Sequence, residues 1–317
     1  MSAAPVVDSG VGGVFHSRQE PTLFADGVIA PPPHVGRPQP RVHARQENND
    51  GRITKLAHWP ARRVRPVGTT DPADDPFGDP RLVGLYDQDN PGGSDHEYFR
   101  ALADERRTRA IVDLGCGTGL LTVSMARPGR TVLGIDPSET MIGYARSRAG
   151  ADRVTWRMGD SRAIGEVLAD LVIMSGNVAQ HILGEQWHRT LRDVRDALRS
   201  DGTVAFESRN PAARAWEEWT EEDTRGTRAT AVGPLTEWLE VTRVGDGEVT
   251  VVGHNIFEST GEHLELTDTL AFRSQDQIAD DLRQSGLIVD AVWGDWHRAP
   301  VQPASRVLVF EARRPAT

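Results

Sequence analysis

A chain of 317 residues holds one large domain with an extension or two small ones, and its hydrophobic share of 38% is low enough that part of it is expected to stay unpacked. The formal charge of −10 averages two unlike regions: residues 1–70 carry nine Lys/Arg against five Asp/Glu, whereas residues 71–317 carry a formal −14, which argues against a grip on a nucleic-acid backbone. The single cysteine, Cys116, excludes an internal disulfide and a cysteine-built metal site, and the lack of any long apolar run leads to the expectation of a soluble, cytoplasmic protein with no membrane segment.

Of the 20 prolines, 12 fall within residues 1–80, and residues 1–70 show no sustained apolar periodicity. Such a stretch cannot bury enough surface to offset its ordering entropy, so a disordered Pro/Arg-rich tail is expected there and a folded domain over residues 71–317. A helix is predicted from Asp95 to about Arg106. Short apolar runs then alternate with helical segments. Strands are predicted at Ala110–Leu114, Thr131–Ile135, Val154–Arg157, Asp170–Met174 and Thr203–Glu207, with helices near Leu120–Arg127, Glu139–Ala149 and Gln186–Ser200. Strands spaced in this way require right-handed crossovers and a parallel sheet covered on both faces. Thr236–Val244, Glu248–Glu258 and His263–Phe272 instead alternate like antiparallel strands around Gly245-Asp246-Gly247 and Gly261, marking residues 209–273 as a lid inserted after the fifth strand. A helix over Gln275–Ser285 and a strand pair, Leu287–Trp293 and Arg306–Ala312, close the domain.

Ile111–Leu120 reads IVDLGCGTGL: a strand, Asp113, then Gly115, Gly117 and Gly119 before a helix. Alternate glycines allow a tight turn and close ligand approach, and the helix start offers unpaired N–H groups. Asp136 stands 23 residues after Asp113 at the next strand end, where a carboxylate accepts hydrogen bonds from both ribose hydroxyls of a nucleoside. The dinucleotide fingerprint fails at its third glycine, because Leu120 occupies that position.

This spacing resembles the first motif of the class I S-adenosylmethionine-dependent methyltransferases, and four further segments resemble that family in order: GIDPS at Gly134–Ser138 followed by Met141, MGD at Met158–Asp160, ADLVIMSGNVAQHI at Ala169–Ile182, and LRSDGTVAFESRNP at Leu198–Pro211. The resemblance spans roughly residues 80–317 and implies an α/β, Rossmann-like fold: a seven-stranded, mostly parallel sheet with helices on both faces and the antiparallel lid. It also implies S-adenosyl-L-methionine bound beyond the strand ends, and methyl transfer to an oxygen or nitrogen of a small organic metabolite, in the manner of bacterial small-molecule enzymes of secondary metabolism. Cofactor contacts implied by the match are Asp113, Gly115, Cys116, Gly117, Gly119, Asp136, Pro137, Met141, Gly159, Asp160, Ser161, Ser175, Gly176 and Asn177. Asp113 is expected to order the glycine loop and the methionine ammonium through water, and Cys116 to act as a small packing residue rather than a reactive thiol.

His181 follows the fourth strand, where the acceptor meets the methyl group, and is the candidate general base; its alternative is a helix-start histidine satisfied by backbone. Tyr86 either folds over the methionine end of the cofactor or anchors the first helix. Arg209 and Asn210 are candidate acceptor contacts at the fifth-strand exit, tempered by an Arg bias of 35 to the single Lys55. Trp216 and Trp219 either wall the acceptor pocket or form the buried face of a lid element. His181 and His188 have no carboxylate cluster at ligand spacing, so no metal site is expected. A monomer or homodimer that binds no nucleic acid is expected. Two rival functions are a non-catalytic, regulatory or partner subunit that binds the cofactor, and a nucleic-acid methyltransferase; SGNV at Ser175–Val178 in place of an NPPY-like tetrapeptide counts against the second.

Overall fold

The computed structural model describes Asp75 and residues 77–316, so the expected tail over 1–70 lies outside the described residues. Three helices lead in: α1 (Pro80–Val83), α2 (Tyr86–Asp89) and α3 (Ser94–Glu105). The alternating region follows as β1 (Ala110–Leu114), α4 (Leu120–Met125), β2 (Thr131–Asp136), α5 (Glu139–Ser147), β3 (Thr155–Met158), β4 (Ala169–Met174), α6 (Val178–His181), α7 (Gly184–Ala197) and β5 (Leu198–Arg209). After the short α8 (Glu221–Thr224) come β6 (Gly226–Thr230), β7 (Gly233–Gly245), β8 (Glu248–Phe257) and β9 (Glu262–Ala271), then α9 (Gln275–Gln284), β10 (Ile288–Trp293) and β11 (Val307–Arg313).

The main sheet has the order β10-β11-β5-β4-β1-β2-β3, in which β11 alone runs against both of its neighbours. Its central strands are rich in apolar residues because both faces are covered, with Asp113 and Glu207 as buried acidic exceptions. On one face Trp187, Leu191 and Val194 of α7 and Ile278 and Leu282 of α9 pack on Val172, Val204, Phe206 and Phe310. On the other, Phe99 and Leu102 of α3 and Leu121 and Met125 of α4 pack on Ile111, Leu171, Ile173 and Val309. The buried positions of α7 recur at Trp187, Thr190, Leu191, Val194 and Ala197, the three-and-four spacing of a helix with one buried stripe. Ser274 and Gln277 close a capping box that starts α9.

The lid is a four-stranded antiparallel meander, β6-β7-β8-β9, with Leu239, Val249, Val251, Leu270 and Phe272 buried together. It is tied to the main domain through α6. Arg209 Nη1 donates to Gln180 Oε1 at 2.8 Å, Gln180 Nε2 donates to the Ala271 carbonyl at 3.1 Å, and Arg273 donates to the carbonyls of Ala179 and Ile182 at 2.9 and 2.6 Å. A second contact joins Leu85 to Leu235 and Phe257.

The short helices α1, α2 and α8 were not among the expected elements, and three further features differ from them. The strand β6 was not foreseen, because its sequence GTRAT is polar and its burial only partial. The fifth strand begins at Leu198 rather than Thr203: Leu198 already pairs with Ala169, and a register irregularity accommodates Arg199–Gly202, with Asp201 at a φ of 61°. The helix before it therefore stops at Ala197 instead of Ser200.

One buried carboxylate locks α3 to the antiparallel edge of the sheet. Glu311 accepts from Tyr98 Oη at 2.9 Å, from Trp293 Nε1 at 3.1 Å and from Arg106 Nη2 at 2.9 Å. Burial opposes its charge, but these donors together leave the carboxyl below the ordinary glutamate range. The folded carboxyl thus binds its proton less tightly than the unfolded one, so this network stabilises the fold above the ordinary glutamate pKa and its contribution is lost as pH falls through that range. Tyr98→Phe removes one charge-assisted bond and is expected to cost about 1.5–3 kcal/mol near neutral pH. Thermal unfolding at several pH values checks this; the gap between variant and wild type should narrow in acid.

Candidate active site

The end of β1 is bonded to the end of β2. The Gly115 and Cys116 amides donate to the Ile135 carbonyl at 2.7 and 3.0 Å, and the Gly117 amide donates to Asp136 Oδ2 at 2.8 Å. The other oxygen of Asp136 accepts from the Ser138 amide at 2.9 Å, at the start of α5. The loop needs glycine at Gly119, whose φ is +76° and whose absent Cβ would stand 2.5 Å from the Trp156 ring. Burial pushes the Asp136 carboxyl up to about 6 against the opposing effect of its two backbone donors. Each of its oxygens keeps a lone pair for a ligand hydroxyl.

Beside this loop, the α2–α3 segment and the exit of β4 enclose a cleft lined by Tyr86, His96, Gly117, Asn177 and Glu207. Glu207 is the group that the sequence analysis missed. It is 1% exposed, its Oε1 accepts from the Asn177 amide, and its Oε2 has no partner among the described residues. Burial pushes its carboxyl up to about 8. Asn177 Oδ1 is likewise buried and unpartnered, on a residue with a φ of 61°. The signal for Glu207 was available: an acid inside the apolar run TVAFES of a strand covered on both faces.

Asp113 lies under the loop, with Oδ2 accepting from Thr122 Oγ1 at 2.6 Å and burial raising its carboxyl to about 7. Cys116 is buried, and burial together with the charges of Asp113 and Asp136 pushes its thiol well above the ordinary value. Asp87, also unforeseen, fastens α2 to the loop by accepting from Thr118 Oγ1 at 2.6 Å and from Arg148. That contact places Tyr86 at the cleft, where burial and then the charges of Asp136 and Asp87 raise its hydroxyl to about 12. Phe77 stands edge-on to both Tyr86 and His181, with ring centroids 6.2 and 6.0 Å away.

His181 lies where α6 meets the lid. Its Nδ1 is 2.9 Å from Asp268 Oδ2 on β9. An ionised carboxylate only accepts, so the neutral ring carries its proton on Nδ1 and keeps the Nε2 lone pair for another partner.

The remaining candidates are distributed as follows. Asp160 is engaged by Arg162 at 2.9 and 2.8 Å and by Arg189 at 2.8 Å; burial opposes its charge, yet the arginines hold its carboxyl below the usual range. Ser161 donates to Asp193 at 2.6 Å, the Gly159 amide donates to the Asp136 carbonyl at 2.9 Å, Met141 is buried and Pro137 exposed. Ser175 and Gly176 border the cleft. Arg209 serves the seam through Gln180 and lies over the Trp219 ring at 5.3 Å, while Asn210 donates to the Ser305 carbonyl and caps Ala212. Trp216 and Trp219 pack on Phe272 in the lid core, at centroid distances of 4.6 and 6.0 Å.

Residues 111–202 match the family model for a methyltransferase domain. The chain is 32% identical over 154 residues to the ubiquinone biosynthesis O-methyltransferase of Rhizobium leguminosarum bv. trifolii, an alignment covering 46% of this chain and 58% of that relative, so the chain spans little more than half of the relative's length. Among solved structures, the CcbJ methyltransferase from Streptomyces caelestis superimposes with a TM-score of 0.59 at 20% identity, covering 78% of this chain and all of that one. The S-adenosylmethionine-bound CalS10, an amino pentose methyltransferase from Micromonospora echinaspora, gives 0.54 at 17% identity, covering 74% and 96%. Motif order and strand order agree with the family-model match: residues 111–202 resemble a methyltransferase domain of the kind that takes S-adenosyl-L-methionine as cofactor, on a Rossmann-like fold. The donor set fits that molecule: buried carboxylates with spare lone pairs suit hydroxyl and ammonium groups. Among the described residues no helix is long and apolar enough to cross a membrane.

The family match implies that both ribose hydroxyls of the cofactor donate to Asp136, which its ionised form accepts best, so cofactor affinity is expected to rise with pH through about 6 and then level off. Asp136→Asn should weaken S-adenosylmethionine by about 1.5–3 kcal/mol and abolish the component of the pH dependence centred near 6. Calorimetric titration of both proteins between acid and neutral pH checks both outcomes.

Proposed function

We propose that the chain moves the methyl group of S-adenosylmethionine to an oxygen or nitrogen of a small organic acceptor lying between the glycine loop and the lid. One observation carries this reading: at the junction of core and lid, His181 is held through Nδ1 by Asp268, which leaves Nε2 as an oriented proton acceptor. The cofactor, when bound, supplies a methyl group already activated on a sulfonium. The protein's remaining tasks are alignment and, for a hydroxyl or protonated amine, removal of a proton. Nucleophilic catalysis by Cys116 is disfavoured by its buried, protonated thiol.

In this reading Asp136 takes the ribose hydroxyls, Glu207 faces the positive charge of the methionine end, and Asp113 keeps the loop in place beneath it. Asp160, drawn outward by two arginines, is assigned to the adenine amino group on the family match. Tyr86, with its hydroxyl raised to about 12, stays protonated and covers the cleft. The relatives named above include an oxygen methylator and an enzyme of amino pentoses, and both acceptor types are compatible with an imidazole base. The acidic domain supports a small-molecule acceptor over a nucleic acid.

The unpartnered oxygen of Glu207, on a carboxyl raised to about 8, favours a second assignment of the base to that residue. Two variants separate the assignments. With S-adenosylmethionine and a metabolite extract as acceptor source, read by mass for a gain of one methyl, His181→Asn is expected to lower the rate roughly 10²–10⁴-fold, leave cofactor affinity nearly unchanged and remove the acidic limb of the pH–rate profile. Glu207→Gln is expected to weaken cofactor binding instead. A reversal of the two phenotypes moves the base to Glu207, and cofactor binding with no methylated product from any extract leaves a binding subunit.

A further inference from the structure

The outer face of the lid carries a side-chain cluster that the methyl-transfer reading does not use. In the β7-β8-β9 meander, Trp238 is paired with His254 and His254 with Glu265, while His263 lies two residues from Glu265 on the same face of β9. The opposite face buries Leu239 and Val251 in the lid core and carries Asp268 toward His181, so the cluster is separated from the cleft by the sheet itself.

His254 is the centre of the cluster. It is 8% exposed and stacks on the Trp238 ring, with centroids 4.5 Å apart and planes 6° from parallel. Its Nε2 is 3.2 Å from Glu240 Oε2, and a carboxylate only accepts, so the ring proton lies on Nε2 and the Nδ1 lone pair faces outward. Three donor atoms meet there. His254 Nδ1 lies 3.1 Å from His263 Nε2 and 3.5 Å from Glu265 Oε1, and the latter two are 3.9 Å apart. A triangle with these edges has one point about 2.1 Å from all three corners, the length of a zinc–imidazole or zinc–carboxylate bond.

We propose that His254, His263 and Glu265 form a binding site for a divalent transition-metal ion, with Zn2+ as the best match. Two imidazoles and one carboxylate are the ligand set of borderline ions such as zinc rather than of Mg2+ or Ca2+, which take oxygen alone. Glu240 supplies the outer carboxylate that fixes the ligating tautomer and orients the ring, an arrangement typical of metal-bound histidine. The two histidines are nine residues apart and brought together only by the hairpin register, so the site clips β8 to β9. Three protein ligands leave a fourth position for water or an exchangeable group.

The test uses full-length, untagged protein stripped with a chelator and titrated with Zn2+ and, separately, Co2+. One equivalent is expected to bind, giving with Co2+ the intense visible absorption of a four-coordinate site and raising the midpoint of thermal unfolding by roughly 5–10 °C at a hundredfold excess over Kd. His263→Ala, at an exposed position, should abolish that equivalent, and Glu265→Gln should weaken it at least tenfold while leaving the metal-free midpoint near that of wild type. Absence of saturable uptake overturns the proposal. So does uptake undiminished in His263→Ala, which would assign the ion to other histidines of the chain.

Discussion

The tie between the ends of β1 and β2 is the constraint from which the rest of the site follows. Two loop amides spend their donors on the Ile135 carbonyl and a third on the Asp136 carboxylate, so the glycine loop cannot shift without breaking buried hydrogen bonds. That fixes the direction of α4 and the height of Asp136 above the sheet. It also sets Thr118 where Asp87 can grasp it, and through Asp87 the position of Tyr86 and the lead-in helices. The cleft is thus closed by a segment some thirty residues upstream of the loop, fastened to the loop by Asp87 and Arg148 and to the lid by the packing of Leu85 on Leu235 and Phe257.

Two buried glutamates on adjacent strands show how the same residue type is used for opposite purposes. Val309 of β11 pairs with Glu207, and Glu311 lies two residues further along β11. Glu311 is surrounded by donors and stays ionised, which is the usual way to make a buried charge tolerable. Glu207 has one backbone donor and an unpartnered oxygen, too few to offset the burial that raises its pKa, and is left short of a cationic or donor group. An unsatisfied buried carboxylate beside a glycine loop costs stability without a ligand, and binding a positive group there removes that cost.

The motif-bearing half of the fold was legible because its signals are local. IVDLGCGTGL and GIDPS each contain a strand, its glycine or acidic terminus and the following helix cap, so the sequence order alone predicts the sheet and the positions of Asp113, Gly119 and Asp136. Asp87 and Asp268 were not legible, since each acts on a residue 31 or 87 positions away along the chain. Glu207 was hidden for a different reason: the strand pattern that identifies β5 treats an acid as an interruption, although the interruption marks the site. For Trp216 and Trp219, spacing alone left wall and core equally open, and the structure packs both on Phe272.

The lid is attached at a point that makes orientation of the chemistry depend on its position. Gln180 bridges Arg209 of β5 and the Ala271 carbonyl of β9, and the neighbouring residue His181 takes its partner from the same strand. One short helix therefore reports on the core through Gln180 and on the lid through His181. A displacement of β9 relative to β5 would strain the Gln180 bridge and withdraw Asp268 from the imidazole together, because both contacts pass through adjacent residues of α6. Arg273, bonded to the carbonyls of Ala179 in α6 and of Ile182 just after it, opposes such a displacement by fixing the helix to the segment that leaves β9. The surroundings of His181 are consequently assembled by lid docking, whereas the glycine loop is set chiefly by the β1–β2 tie.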